Sequence, residues 1–144
     1  MKKASDRASV MAHELRVVLG QLMRRLRAQA NKGDLSLSQR AVLGTLDREG
    51  TATVTALARA EGVRSQSMGA TVAALQEAGL VDGAPDPADG RQVMLSLTEA
   101  ARGLIKANRA AREDWLSQAI RSHLTSVEQQ ELAGAVRLLR RIVD

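Results

Sequence analysis

A single short segment interrupts a chain that is otherwise patterned for α-helices. Pro85 and Pro87 are the only prolines among the 144 residues, and both lie in the segment Ala-Pro-Asp-Pro-Ala-Asp-Gly-Arg at 84–91. Because proline fixes φ and lacks an amide donor, and because aspartate and glycine favour turns, this segment predicts a loop. Leu80-Val81 precedes it, and residues 92–97, which alternate apolar and polar side chains, follow it. We therefore expect a β-hairpin with a polar tip over about 80–97.

Apolar residues that recur every three or four positions predict helices on both sides of the hairpin. The expected helices cover about 9–30, ending at 31–33, then 38–49 with Ser38 as N-cap, 54–60, 66–78 and 99–121. A capping box, Thr125-Ser-Val-Glu128, predicts the start of a last helix that ends near 143. On the terminal helices, the residues expected to face inward are Met11, Leu15, Val18, Leu22, Leu26, Leu132, Val136, Leu139 and Val143.

The helices at 54–60 and 66–78 are separated by a tight turn at Gly62 and are followed by the hairpin. This order and these lengths are typical of a winged helix-turn-helix, whose second helix enters the DNA major groove while the hairpin reaches the backbone or the minor groove. We predict a mainly α fold that contains a winged helix-turn-helix with a small β-hairpin wing.

Three runs of residues, 57–63, 66–81 and 86–100, resemble the MarR family of bacterial transcriptional regulators, most specifically in the wing signature Asp86-x-x-Asp89-x-Arg91 followed by Leu97-Thr98. The resemblance covers essentially the whole chain and implies one domain, 1–144. In it, the helices at 9–30 and 99–143 would form a dimer interface, and 36–98 would form the DNA-binding lobe with its wing at 80–97. It further implies a homodimer that represses transcription from a roughly palindromic operator, and release by a small lipophilic or aromatic ligand.

The second helix of the motif has two different faces. At 100° per residue, Met68, Val72 and Leu75 share an apolar face that should pack inward. The opposite face carries Gln66, Ala70, Ala73 and Glu77 and is small and nearly uncharged; its flanking residues are Ser67, Gly69 and Ala74. The glutamine suits a bidentate contact to adenine, the two alanines suit thymine methyl groups, and the glycine permits close backbone approach. The alternative is a small-residue helix that packs against another helix.

Several further residues are candidates for contacts with the DNA backbone. Ser65 and Ser67, with the amides of the first helical turn, suit phosphates, and Arg64 suits a phosphate or a base edge. The resemblance makes Arg91 the wing arginine at the minor groove and gives Asp89 the role of holding it in place. The alternative for this pair is a solvated turn with an incidental ion pair. Arg40 is a weaker phosphate candidate, and the alternative is a surface residue without a role in DNA binding.

The positive charge is concentrated at the N-terminus. The net charge is +5, but residues 1–33 carry +6 whereas residues 63–98 carry −2. Three interpretations of the N-terminal excess are open. It is the solvated face of an amphipathic helix, or a second basic surface that contacts DNA. A helix on a membrane surface is least favoured, because no aromatic anchors accompany it. Few phosphate contacts are therefore expected from residues 63–98, which predicts modest affinity and a shallow salt dependence unless the first helix or Arg40 contributes.

The residue composition excludes several other classes of function. Without Phe, Tyr or Cys, and with Trp115 alone, the chain has no stacking platform for single strands, no thiolate zinc site and no cysteine nucleophile. No catalytic motif appears, so an enzyme, a cofactor and a metal at His13 or His123 are not expected. Trp115 is either a pocket residue for an effector or dimer core. A cytoplasmic protein without a membrane segment is expected, and the competing hypothesis is a helical adaptor with weak or no DNA binding.

Overall fold

The computed structural model describes residues 2–30 and 35–144, with side chains from Asp6 onward. Helices make up most of this part of the chain, and three short strands form one sheet. The helices are α1 (Lys2–Gln29), α2 (Leu37–Glu49), α3 (Val54–Glu61), α4 (Ser65–Glu77), α5 (Glu99–His123) and α6 (Ser126–Val143), and the strands are β1 (Thr51–Ala52), β2 (Val81–Pro85) and β3 (Val93–Leu97). The predicted mainly α winged helix-turn-helix fold is confirmed.

Two predicted helix starts are wrong. The first helix begins at Lys2 rather than near Ser9, because the intervening residues contain no helix breaker. Helix α2 has Ser36 rather than Ser38 as its N-cap: the Ser36 hydroxyl accepts from the amide of Gln39 at 3.1 Å, and the Ser36 amide donates to Oε1 of Gln39 at 2.9 Å. A glutamine three residues after Ser36 completes a capping box, which Ser38 could not form with Ala41. The predicted end of the first helix at 31–33 lies outside the described residues.

The predicted hairpin is present and belongs to a larger sheet. The antiparallel strands have the order β1-β3-β2, with Val81 opposite Leu97 and Ala52 opposite Leu95. Pro85 ends the edge strand β2, where a missing amide donor is tolerated. Strand β1 was not predicted, because two residues are too few for an alternating pattern.

One hydrophobic core holds the winged lobe, the compact unit Asn31–Asn108, together. Its described members come from α2, α3, α4, the sheet and the start of α5, and the largest fully buried side chains are Leu46, Leu57, Met68, Leu75, Leu95, Val42 and Val81. Met68, Val72 and Leu75 are each at most 3% exposed. The predicted inward face of α4 is therefore confirmed.

The second compact unit comprises residues 1–30 and 109–144, and it leaves much apolar surface uncovered. Leu132, Val136 and Val143 of α6 are 37, 43 and 82% exposed, and Met11 and Val18 of α1 are also exposed. The prediction that these five residues lie inside is wrong for a single chain. Ala30 is the one buried apolar side chain among the described residues of this unit, so most of its apolar side chains are at least partly exposed.

Thr98 connects the end of α4, the sheet and the start of α5. Its amide donates to the Leu80 carbonyl at 3.2 Å and its hydroxyl donates to the Gly79 carbonyl at 2.7 Å, while the amide of Ala101 donates to the same hydroxyl at 3.2 Å. One side chain thus caps α5 and binds the backbone just after α4. Gly79 itself has a positive φ of 74°, which is the left-handed conformation that glycine adopts without strain.

We expect Thr98→Val to lower the free energy of unfolding by about 1–3 kcal/mol, because valine keeps the shape but removes both hydroxyl bonds. Thr98→Ser is the matched control, since it keeps the hydroxyl and should lose less. Urea denaturation followed by circular dichroism measures both variants. Equal midpoints for wild type and Thr98→Val would contradict this role.

Candidate nucleic-acid interface

The turn between α3 and α4 is set by glycine and by backbone hydrogen bonds. Thr53 caps α3 by accepting from the amide of Ala56 at 3.1 Å, and Gly62 ends the helix in the left-handed conformation with φ 66°. The amide of Val63 donates to the Ala58 carbonyl at 3.0 Å, which closes the turn after α3. The predicted break at Gly62 is confirmed.

Helix α4 begins without a side-chain cap. Its N-cap, Arg64, is extended with φ −73° and ψ 146°, and it makes no side-chain hydrogen bond to the helix. The first-turn amides therefore lack the acceptor that a serine or aspartate cap would supply. A phosphate oxygen is one acceptor that suits such a helix start, and the exposed Ser65 and Ser67 lie beside it.

The face of α4 opposite the core is exposed and has no ionised group near its start. Gln66, Ser67, Ala70 and Ala73 are exposed, and Gly69 is half-buried with open space around the position of an added Cβ. The structure thus brings the predicted base-contacting residues together on one outward surface. Their contact with bases remains a prediction.

The wing tip is closed by its two aspartates. The amide of Asp86 donates to the Gln92 carbonyl at 2.9 Å, and Oδ1 of Asp86 accepts from the amide of Ala88 at 2.9 Å. Oδ1 of Asp89 accepts from the amide of Arg91 at 3.1 Å. In this structure, then, Asp89 holds the backbone of Arg91, in the manner of an Asx turn, rather than its guanidinium.

The candidate arginines differ in how they are held. Arg64 and Arg91 are exposed, and within the described ranges neither forms an ion pair, unlike Arg102, whose guanidinium lies 2.8 Å from the carboxylate of Glu99. Arg40 is half-buried, and its Nε and Nη2 donate to the Leu35 carbonyl at 3.2 and 3.0 Å. The guanidinium of Arg40 therefore binds the backbone that precedes α2, whereas the guanidinium groups of Arg64 and Arg91 are available for an external anion.

The remaining candidates lie apart from this surface in the sequence. His13 and His123 are exposed, and the described residues contain no group of three metal-ligating side chains. Trp115 is half-buried on α5. Among the described residues, no helix is long and apolar enough to cross a membrane.

One contributor to the site was missed by the sequence analysis. At Gly83 in β2, an added Cβ would lie 2.8 Å from Cγ1 of Val93 and 3.3 Å from Nε2 of Gln76. The missing side chain lets the wing lie close to the last turns of α4. A glycine inside a strand pattern is the available signal, because it often marks such an approach.

The chain is similar to known proteins over nearly all of its length. The model of the MarR family matches residues 33–92. An HTH-type transcriptional regulator of Mycobacterium tuberculosis is 40% identical over 139 residues, which are 96% of each chain. Solved structures give the same result: a transcriptional regulator protein from Pseudomonas aeruginosa PA01 has a TM-score of 0.80 at 36% identity, covering 93% of this chain and 94% of that one. A point mutant of MepR from S. aureus, bound to an oligodeoxyribonucleotide, has a TM-score of 0.72 at 17% identity, with 92 and 97% covered.

We expect Gly83→Ala to destabilise the wing, because the new methyl group would overlap Val93. The free energy of unfolding should fall by about 1–3 kcal/mol, as for other overpacked sites. Gly90→Ala is the control, since an added Cβ there meets nothing within 4 Å. Thermal or urea unfolding compares the two variants, and a Gly83→Ala protein as stable as Gly90→Ala would show that the close approach is unimportant.

Proposed function

The chain is a member of the MarR family of HTH-type transcriptional regulators, and on this basis we propose that it binds a roughly palindromic DNA operator as a homodimer and represses transcription. Transcriptional regulation by DNA binding is what the family and the relatives establish. The relatives also support the expectation that the chain is not an enzyme. The operator, the dimer, the repression and the contact residues are proposals.

Two observations together support the proposed contacts. The outward face of α4 is exposed and carries polar and small side chains, and the exposed Arg64 and Arg91, which precede and follow α4 in the sequence, form no ion pair. Gln66 would recognise adenine, while Ala70 and Ala73 would contact thymine methyl groups. Arg64, Ser65 and Ser67 would bind phosphates, and Arg91, positioned by Asp89, would enter the minor groove. The oligonucleotide bound to MepR supports a nucleic-acid ligand for this fold.

The uncovered apolar faces of α1 and α6 support the homodimer. Exposed large apolar side chains recur along both helices, including Val10, Met11, Val18, Leu132, Val136 and Ile142. A second copy would remove this surface from water, which stabilises the pair by roughly 25 cal/mol per Å² of apolar area. A two-fold dimer would also present two α4 helices to half-sites about 34–36 Å apart, one turn of the duplex.

Release of the operator by a small lipophilic or aromatic ligand completes the proposal. Such a ligand would have to bind better to a conformation in which the two recognition helices no longer match the half-sites. Trp115, half-buried on α5, is the candidate contact for an aromatic effector.

Titration of an operator selected from genomic fragments tests the DNA contacts. We expect Arg91→Ala to weaken binding and to lower the slope of log K against log salt by about one, because one positive charge that displaces counterions from the minor groove is lost. Gln66→Ala should instead reduce the discrimination against the wrong base at one position of the operator, by about 1–3 kcal/mol. Arg121→Ala removes an exposed charge near the end of α5; it is the matched control and should have no effect.

The same titration tests the adaptor hypothesis. If the wild type shows no salt-dependent retention of any fragment, that hypothesis replaces the proposed DNA binding, and the net charge of −2 in residues 63–98 is the observation that favours it.

Analytical ultracentrifugation tests the dimer. The wild type should sediment at twice the chain mass of 15.4 kDa, and Val136→Glu should sediment at the mass of one chain, because a buried unpaired carboxylate in the interface is costly. Gln130→Glu adds the same charge to an exposed position on the other side of α6 and should remain dimeric. A monomeric wild type, or a dimeric Val136→Glu, would argue against this interface.

A further inference from the structure

A groove of about 500 Å³ lies in the winged lobe, away from the outward face of α4. It is bounded by the C-terminal half of α2, by β1, by one side of α3 and by the wing. Its size falls within the range of small-molecule sites, about 300–1,000 Å³. None of the candidate DNA-contact residues lines it; the lining residues are Thr45, Glu49, Thr51, Ala52, Thr53, Ala56, Ala60, Asp86, Gln92 and Met94.

The apolar part of the lining consists mostly of small side chains. Ala52, Ala56 and Ala60 present only methyl groups, and Met94 is half-buried beside them. Methionine adapts its shape to irregular apolar partners and makes favourable contacts with aromatic rings. The groove can therefore accept a flat apolar body without displacing a large side chain.

The charged part of the lining is entirely acidic. Glu49 comes from the end of α2 and Asp86 from the wing, and no lysine or arginine is among the lining residues. Arg48 of α2 is not a lining residue, although its Nη2 donates to the hydroxyl of Thr45, which is one, at 3.4 Å. Asp86 uses Oδ1 for the amide of Ala88, which leaves Oδ2 for another partner. A cation is favoured here, and an anion is repelled.

We propose that this groove binds a small organic cation with an apolar body, such as an arylalkylammonium ion. The ring lies on Ala56, Ala60 and Met94, and the ammonium group lies between the carboxylates of Glu49 and Asp86. The amide of Asp86 also closes the wing loop by donating to the Gln92 carbonyl, so the ligand contacts the loop that carries Arg91. Binding of the cation does not depend on the proposed DNA contacts, whereas any effect on operator affinity does rest on them.

The experiment titrates the full-length, ¹⁵N-labelled protein with benzyltrimethylammonium and follows amide chemical shifts by NMR. We expect saturable shifts concentrated at Thr51, Ala56, Ala60, Asp86 and Gln92. Benzoate, which has a similar ring but the opposite charge, should cause no saturable shift at these amides. The readout requires no DNA, so its failure is distinct from failure of the proposed function.

Two sets of variants test the charge and the shape separately. Removing both charges with Glu49→Gln and Asp86→Asn should weaken binding about thirtyfold, since each close pair in water is worth about 1 kcal/mol. Asparagine keeps an oxygen for the Ala88 amide, so the wing should stay closed. The paired control, Glu61→Gln with Asp82→Asn, removes two exposed acids of the same lobe that do not line the groove and should leave the affinity unchanged.

Ala60→Leu fills the groove from an exposed position on α3, where leucine is a good helix former, and should weaken binding at least tenfold while the protein remains folded. The proposal is overturned if benzyltrimethylammonium causes no saturable shift at the groove, or if benzoate binds equally well. It is also overturned if the doubly neutralised variant binds the cation as tightly as the wild type.

Discussion

The burial of one face of α4 fixes the orientation of this helix in the winged lobe. Met68, Val72 and Leu75 are almost completely buried in a core that also contains Leu46 and Leu57. Rotating α4 about its axis would expose these side chains, and each fully buried large apolar residue contributes about 1.5–3 kcal/mol. Core packing therefore fixes the direction of the opposite face, and with it the set of side chains that can contact a base.

The wing and the ends of the helices depend on this placement of α4. Thr98 binds the Gly79 carbonyl just after α4 and caps α5, and the absence of a side chain at Gly83 lets β2 lie close to Gln76. The wing is thus attached to α4 at its base, while its tip is closed separately by Asp86 and Asp89. Arg91 is consequently carried by a loop whose backbone is fixed at both ends, although its own side chain is exposed.

The sequence predicted those features that local chemistry determines. Gly62, the capping box at Thr125 and the apolar spacing of Met68, Val72 and Leu75 each act within a few residues, and all three have the predicted role. Features that depend on distant residues were missed. Strand β1 exists only because β3 lies beside it, and the close approach at Gly83 requires Val93 and Gln76. The expected burial of Val136 and Val143 failed because an apolar pattern does not specify which chain covers it.

The charge distribution has a consequence for how such a lobe would choose its site. Non-specific DNA binding is almost entirely electrostatic, and it grows with the number of phosphates that are neutralised. A segment with a net charge of −2 and two exposed, unpaired arginines contributes little of this term. The base contacts proposed for Gln66 and the neighbouring alanines do not need net positive charge. Since a regulator must compete against a genome of non-specific sites, the ratio of specific to non-specific affinity matters more than the affinity itself. In the proposed recognition of an operator, the weak charge of residues 63–98 therefore favours discrimination between sites over tight binding.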